Sequence, residues 1–113
     1  MEKKSLIEAI EYSESRFTKR VLFNEGGSTI FLLNFMPGQE LPTHTHPGSE
    51  LFLHVIKGKG KLIINGKETD ITEYDVIHAA GDEEFAFKNS SNEPVSLYVT
   101  LCKIPNDQYA QNI

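Results

Sequence analysis

The sequence has few of the features that mark a secreted, membrane-spanning or disulfide-bonded protein. Its longest apolar runs, such as residues 30–33, stop far short of the ~20 residues that cross a bilayer as a helix. The first residues show no apolar stretch followed by a small-residue cleavage site, so we expect no signal peptide. The single cysteine, Cys102, excludes a disulfide within the chain and is typical of a reducing compartment. Together these absences predict a cytoplasmic protein.

Positive charge is also scarce. Only 11 lysines and arginines stand against 16 aspartates and glutamates, which gives a net charge of -5 at pH 7. Binding to nucleic acid or to an anionic membrane depends on clustered Lys and Arg that neutralise phosphates, so we expect neither as a main partner. The motifs Gly-x-Ser-x-Gly and His-Glu-x-x-His do not occur, so the sequence gives no support for hydrolases of these two kinds. The expected partner is a small molecule.

What the sequence does contain is a series of short runs rich in β-branched and aromatic residues, separated by Gly, Pro, Asn and Asp. This pattern is typical of strands, and about eight of them in one small chain predict an all-β sandwich or barrel. Asn65 and Gly66 predict a type I′ hairpin turn, because both tolerate a positive φ. The predicted strands are residues 17–23, 28–35, 50–56, 61–64, 67–71, 75–79, 84–88 and 95–104.

The two ends of the chain are less clearly patterned. Leu6, Ile7 and Ile10 have the spacing of a short amphipathic helix, although an edge strand is equally compatible with this segment. The polar tail at residues 106–113 is expected to fray or to form one helical turn. No linker or repeat divides the sequence, so we expect residues 1–113 to form a single domain whose motif-bearing core is about 28–104.

Two histidines form the strongest candidate site. In an extended chain, residues two apart project to the same face, so His44 and His46 can direct their imidazoles at one point. Two histidines with a carboxylate are the ligand set of mononuclear Fe(II) sites, and the set also suits Mn, Ni or Zn. The alternative is that the two histidines are exposed loop residues between Pro42 and Pro47.

The segment around the histidines resembles the first motif of the cupin family, Gly-x5-His-x-His-x3/4-Glu-x6-Gly, through Gly38, His44, His46, Glu50 and Gly58. Residues 74–89 are similar to the second motif, Gly-Asp-Val…Pro-x-Gly-x-x-His-x3-Asn. The resemblance implies an all-β jelly-roll barrel, the cupin double-stranded β-helix. It also implies a divalent metal (Fe, Mn, Ni or Zn) held inside the barrel by His44, His46 and Glu50, and a homodimer.

Two departures from the motifs bear on the metal. Gly58 follows Glu50 after seven residues instead of six, so counting back from Gly58 puts Leu51 in the glutamate position. Adjacent strand residues face opposite ways, so this shift turns Glu50 outward unless a bulge or the preceding loop absorbs it. Phe85 occupies the position of the family's fourth ligand, a histidine, and a phenyl ring cannot coordinate such a cation.

His54, His78 and Phe85 complete the candidate pocket. His54 has the strand parity of Glu50, so the two side chains share a face, and His54 can then bind a ligand or act as an acid or base. His78 is a reserve ligand or base, and a hydrogen-bonded structural histidine is the alternative for His54. Phe85 makes one wall of the pocket apolar and favours a hydrophobic ligand.

Three functions follow from these residues. The first is a cupin that binds a divalent metal and a small organic ligand inside the barrel, where the metal acts as a Lewis acid. The second is a metal-free cupin that senses or stores a small molecule. The third is a dimerisation or scaffolding module. Because cupins host both enzymes and plain binders, the fold leaves open whether this protein is an enzyme.

Overall fold

The computed structural model of the protein describes residues 1–103, which form two antiparallel β-sheets packed face to face. The described elements are α1 (Leu6–Ala9), β1 (Thr18–Glu25), β2 (Ser28–Phe35), β3 (Glu40–His44), β4 (Ser49–Lys57), β5 (Lys59–Ile64), β6 (Lys67–Thr72), β7 (Val76–Ala80), β8 (Phe85–Lys88) and β9 (Val95–Lys103). One sheet has the strand order β1-β2-β9-β4-β7 and the other the order β3-β8-β5-β6. This two-sheet arrangement confirms the predicted all-β jelly-roll barrel.

The core lies between the two sheets and follows from alternation along the strands. On β4, Leu51, Leu53 and Val55 are at most 2% exposed, whereas the residues between them point to the outer face. From the second sheet, Phe87 packs against Phe35 with ring centroids 4.9 Å apart. Each large apolar side chain buried in this way contributes about 1.5–3 kcal/mol to stability.

Strand β3 is not among the strands that the sequence pattern predicts, although it carries the first histidine. Its residues are polar or partly exposed, and Pro42 lies in the middle of it. A proline is tolerated here because β3 is an edge strand, paired only with β8, and its register shifts between Leu41 and His44. His44 is therefore a strand residue with a fixed direction rather than part of an irregular loop.

The N-terminal segment forms the short helix α1, one of the two alternatives that the sequence leaves open. The Ser5 hydroxyl caps this helix by accepting a hydrogen bond from the Ile7 N–H. Ala9 then packs with Leu22 and Leu32 on the outer face of the five-stranded sheet. No helix within residues 1–103 is long and apolar enough to cross a membrane.

The turn between β5 and β6 has the conformation that its sequence predicts. Asn65 and Gly66 have φ angles of 51° and 79°, both in the left-handed region that a type I′ turn requires. At the other end of the chain, the last predicted strand extends to residue 104, one residue beyond the described part. The tail at 106–113 lies outside the described residues altogether.

Candidate functional site

The two motif histidines meet at one end of the barrel. His44 lies on β3 opposite Phe85 of β8, and the two rings contact edge to face with centroids 5.5 Å apart. His46 follows β3, where its N–H donates to the carbonyl oxygen of Gly81 at 2.8 Å. The His44 and His46 rings are nearly perpendicular, with centroids 4.6 Å apart. The structure therefore brings three of the sequence-predicted site residues together.

These rings line a cavity of about 110 Å³ between the two sheets. Its volume is well below the ~300 Å³ at which drug-sized pockets begin, so it suits a compact ligand. Most of the wall is apolar. The lining residues are Phe17, Lys19, Phe31, Leu33, Leu41, His44, His46, Leu51, Phe85 and Val99.

Different surroundings determine the protonation of His44 and of His46. The Nδ1 atom of His44 lies 2.7 Å from the carbonyl oxygen of Pro42, and a carbonyl can only accept, so Nδ1 carries the hydrogen. In the neutral ring, Nε2 of His44 is then free to accept a hydrogen bond. Burial, and secondarily the charges of His44 and Lys19, hold the pKa of His46 below its ordinary value. His46 is therefore mainly neutral at pH 7.

Lys19 is the polar residue of the cavity that sequence reasoning missed. Its Cα is paired with that of Leu33, and its Nζ lies 4.5 Å from the ring centroid of Phe31. Lys19 shares its strand parity with Phe17, which also lines the cavity, and that alternation is the only signal in the sequence. β1 lies next to the histidines only because segments distant in sequence pack together, and no local pattern encodes such packing.

Glu50, expected beside the histidines, lies instead on the outer face of the five-stranded sheet. Leu51 takes the inward direction, is 2% exposed and forms part of the cavity wall. The carboxylate of Glu50 lies on the other side, where its Oε2 is 2.6 Å from Nε2 of His78. The spacing counted back from Gly58, which puts Leu51 in the glutamate position, therefore matches the structure.

His54 and His78 are also outside the barrel. His78 lies on β7 directly opposite Phe52 of β4, on the same outer face as Glu50. His54 lines a separate depression of about 400 Å³ between the N-terminal segment and the sheet. Of the three additional pocket candidates, only Phe85 contributes to the cavity of His44 and His46.

The donor set does not fit a resident divalent metal. Within residues 1–103, no three His, Cys, Asp or Glu side chains come close enough to hold one ion together. The cavity offers two imidazoles, while apolar Leu51 and Phe85 occupy the positions of the expected third and fourth ligands. Catalytic zinc and mononuclear iron sites use at least three protein ligands. The implied Fe, Mn, Ni or Zn thus lacks its ligand set here.

A family model described as Cupin domain (Cupin_2) matches residues 31–101. The matched segment begins in β2, ends in β9 and contains both cavity histidines and Phe85. No curated protein gives a significant match to this sequence.

Solved structures share the fold at low sequence identity. The protein TT1209 from Thermus thermophilus aligns with a TM-score of 0.85 at 23% identity, over 93% of this chain and 100% of that chain. An uncharacterized conserved protein with a double-stranded beta-helix domain from Klebsiella pneumoniae gives 0.85 at 23%, over 91% and 90%. The Cupin_2 domain of an XRE family transcriptional regulator from Enterobacter cloacae gives 0.71 at 23%, over 80% and 98%.

At these identities the structural likeness shows the fold alone, whereas the family model covers more than half of the sequence and both of the motif segments. The chain therefore belongs to the cupin-domain family.

Proposed function

We propose that the protein is a cupin that binds a small organic molecule in the barrel cavity without a resident metal. One observation carries this proposal. Where the family motifs lead us to expect two further ligands, Leu51 and Phe85 instead complete an apolar wall next to His44 and His46. A wall of this kind favours contact with carbon atoms of a ligand over coordination of a cation.

The polar groups of the cavity are few and suit orientation of such a ligand. The free Nε2 of His44 accepts one hydrogen bond, while its Nδ1–H is held by the carbonyl of Pro42. The surrounding apolar surface supplies the affinity, at about 25 cal/mol for each Å² removed from water. This division between an apolar body and a few polar contacts is typical of small-molecule sites.

The size of the cavity limits the ligand and its affinity. The best small ligands gain about 1.5 kcal/mol per non-hydrogen atom, so a ligand of roughly five atoms gains at most about 7.5 kcal/mol, a dissociation constant near ~3 µM. Sensing or storage of a metabolite at micromolar to millimolar concentration is compatible with such affinities.

The proposal is tested by screening compact organic molecules against the chelator-treated protein with ligand-observed and ¹H–¹⁵N NMR. Hits are expected to shift the amide signals around His46 and Phe85 with EDTA present. His44→Ala should weaken these hits, and His54→Ala is the matched control because His54 lies on the outer face. Binding that requires added Zn²⁺, Mn²⁺, Ni²⁺ or Fe²⁺, or hits that shift only the outer depression, would contradict the proposal.

A further inference from the structure

We infer that the ligand of the barrel cavity is a small organic anion, whose single acidic group binds Lys19 and whose apolar body contacts the wall formed by Leu51 and Phe85. This inference rests on the proposed function and adds the charge class of the ligand.

All ionisable side chains that line the cavity are basic. Lys19, His44 and His46 line it, and none of its lining residues within the described part of the chain is acidic. Glu50, the carboxylate that the motif places here, points to the opposite face of the sheet, where His78 is its partner. Lys19 thus gives the cavity a positive charge in a protein whose net charge is -5. A positive cleft with low-dielectric walls attracts anions.

The Lys19 ammonium is not neutralised by an acid of the described chain. It lies over the Phe31 ring, with Nζ 4.5 Å from the centroid, a cation–π contact. Within residues 1–103 it forms no ion pair with a carboxylate, in contrast to Lys61 and Lys88, which pair with Asp70 and Glu40. A lysine ammonium has three N–H donors, and contact with a ring face leaves donors available to a ligand.

The wall limits which anions fit. Leu51 and Phe85 line the cavity and are 2% and 3% exposed, so the apolar surface that they offer is small and suits a compact apolar group. Lys19 is exposed and lies at the opening of the cavity. An acidic group of the ligand that binds there keeps part of its hydration, while the apolar part of the ligand is buried. The volume of about 110 Å³ favours a ligand much smaller than a nucleotide. Short branched or cyclic monocarboxylates combine one acidic group with a compact apolar part, as this cavity requires.

The inference is tested with a matched pair of probes, isobutyrate and its neutral analogue isobutyramide, titrated by ¹H–¹⁵N NMR in chelator. Wild type is expected to bind isobutyrate at least tenfold more tightly. Lys19→Met should abolish this preference, and Lys19→Arg should retain it. Lys67→Met, at the exposed first residue of β6, is the control and should behave as wild type.

The outcomes separate the two proposals. Equal binding of isobutyrate and isobutyramide at the cavity, or a preference that persists in Lys19→Met, overturns the anion inference while the proposed function stands. Formate binding as tightly as isobutyrate overturns the role of the apolar wall, because formate has no apolar body. Absence of cavity shifts with either probe at millimolar concentration also overturns the anion inference, whereas the proposed function is decided by the wider screen of compact molecules.

Discussion

Leu51 lines the barrel cavity, while its neighbour Glu50 lies on the opposite face of the five-stranded sheet with its carboxylate 2.6 Å from the His78 imidazole. This one-residue relationship decides the chemistry of the cavity. With Glu50 outside, the two histidines face apolar groups and a lysine rather than a carboxylate. Of the three metal ligands that the motif implies, His44 and His46 therefore lie on the inner side of the five-stranded sheet and Glu50 on its outer side.

A gain of metal binding is expected when the fourth-ligand position is restored. Phe85→His places a third imidazole at a position that now has its ring centroid 5.5 Å from that of His44. Three histidines suffice for a zinc-type site, so affinity for Zn²⁺ or Co²⁺ should rise at least tenfold over wild type, measured by calorimetry and Co²⁺ absorption. Ile7→His is the control, because Ile7 is 81% exposed on α1, which packs on the outer face of the five-stranded sheet. Wild type purified with near-stoichiometric metal would contradict this account.

The two neighbours on β4 should differ in their contributions to stability. Leu51→Ala removes a buried side chain and is expected to cost about 2–5 kcal/mol, with the lower end favoured by the cavity already beside it. Glu50→Gln breaks an exposed pair with His78 and should cost at most about 1 kcal/mol. Urea unfolding measures both. Ligand binding should survive Glu50→Gln, and its loss would place Glu50 in the binding site after all.

How far the sequence predicts this structure depends on whether the information is local. Alternating apolar residues such as Leu51 and Leu53 predict the strand that carries them, and Asn65 with Gly66 predicts its turn from φ preferences alone. Strand β3 is not predicted, because Pro42 and its polar neighbours lack the apolar alternation of the other strands. Lys19 is missed for another reason: it reaches the histidines only through packing between segments distant in sequence.

The direction of Glu50 is an intermediate case. The spacing from His46 and the spacing from Gly58 give opposite directions for the side chain, and local sequence contains no further criterion. The structure settles the direction through β4 as a whole, since Leu51, Leu53 and Val55 must share the inner face. Burial of three aliphatic side chains outweighs the local motif spacing.

The pH dependence of stability should contain a contribution from His46. Its pKa is lowered from 6.5, chiefly by burial. As the pH falls through 6.5, the unfolded chain takes up this proton before the folded chain does, so stability decreases on acidification and levels off below the folded-state pKa. His46→Gln removes this group, and its stability measured by urea unfolding should fall less between pH 7.5 and 5. An identical pH dependence in both proteins would contradict the assignment.

Gly81 should be required to hold the histidine segment in place. Its carbonyl accepts the His46 N–H, and a Cβ added at Gly81 would overlap the backbone carbonyl oxygens of His46 and Ser49. In Gly81→Ala the backbone of His46 and Ser49 must therefore move, because no flexible side chain can give way instead. We expect this to lower the free energy of unfolding by about 1–3 kcal/mol. Because His46 moves with that backbone, binding in the cavity should weaken as well.

Gly38→Ala supplies the control for Gly81→Ala. It strains a left-handed residue with φ +84° but meets no atom within 4 Å, and it lies in the turn between β2 and β3, at the end of β3 away from His44. It should cost about 1 kcal/mol and leave ligand binding unchanged. Urea midpoints together with the amide chemical shifts of residues 44–46 distinguish the two variants. If Gly81→Ala lowers stability but leaves those shifts and the ligand affinity as in wild type, the carbonyl of Gly81 does not position His46, and the histidine is held by the contact of its ring with His44 instead.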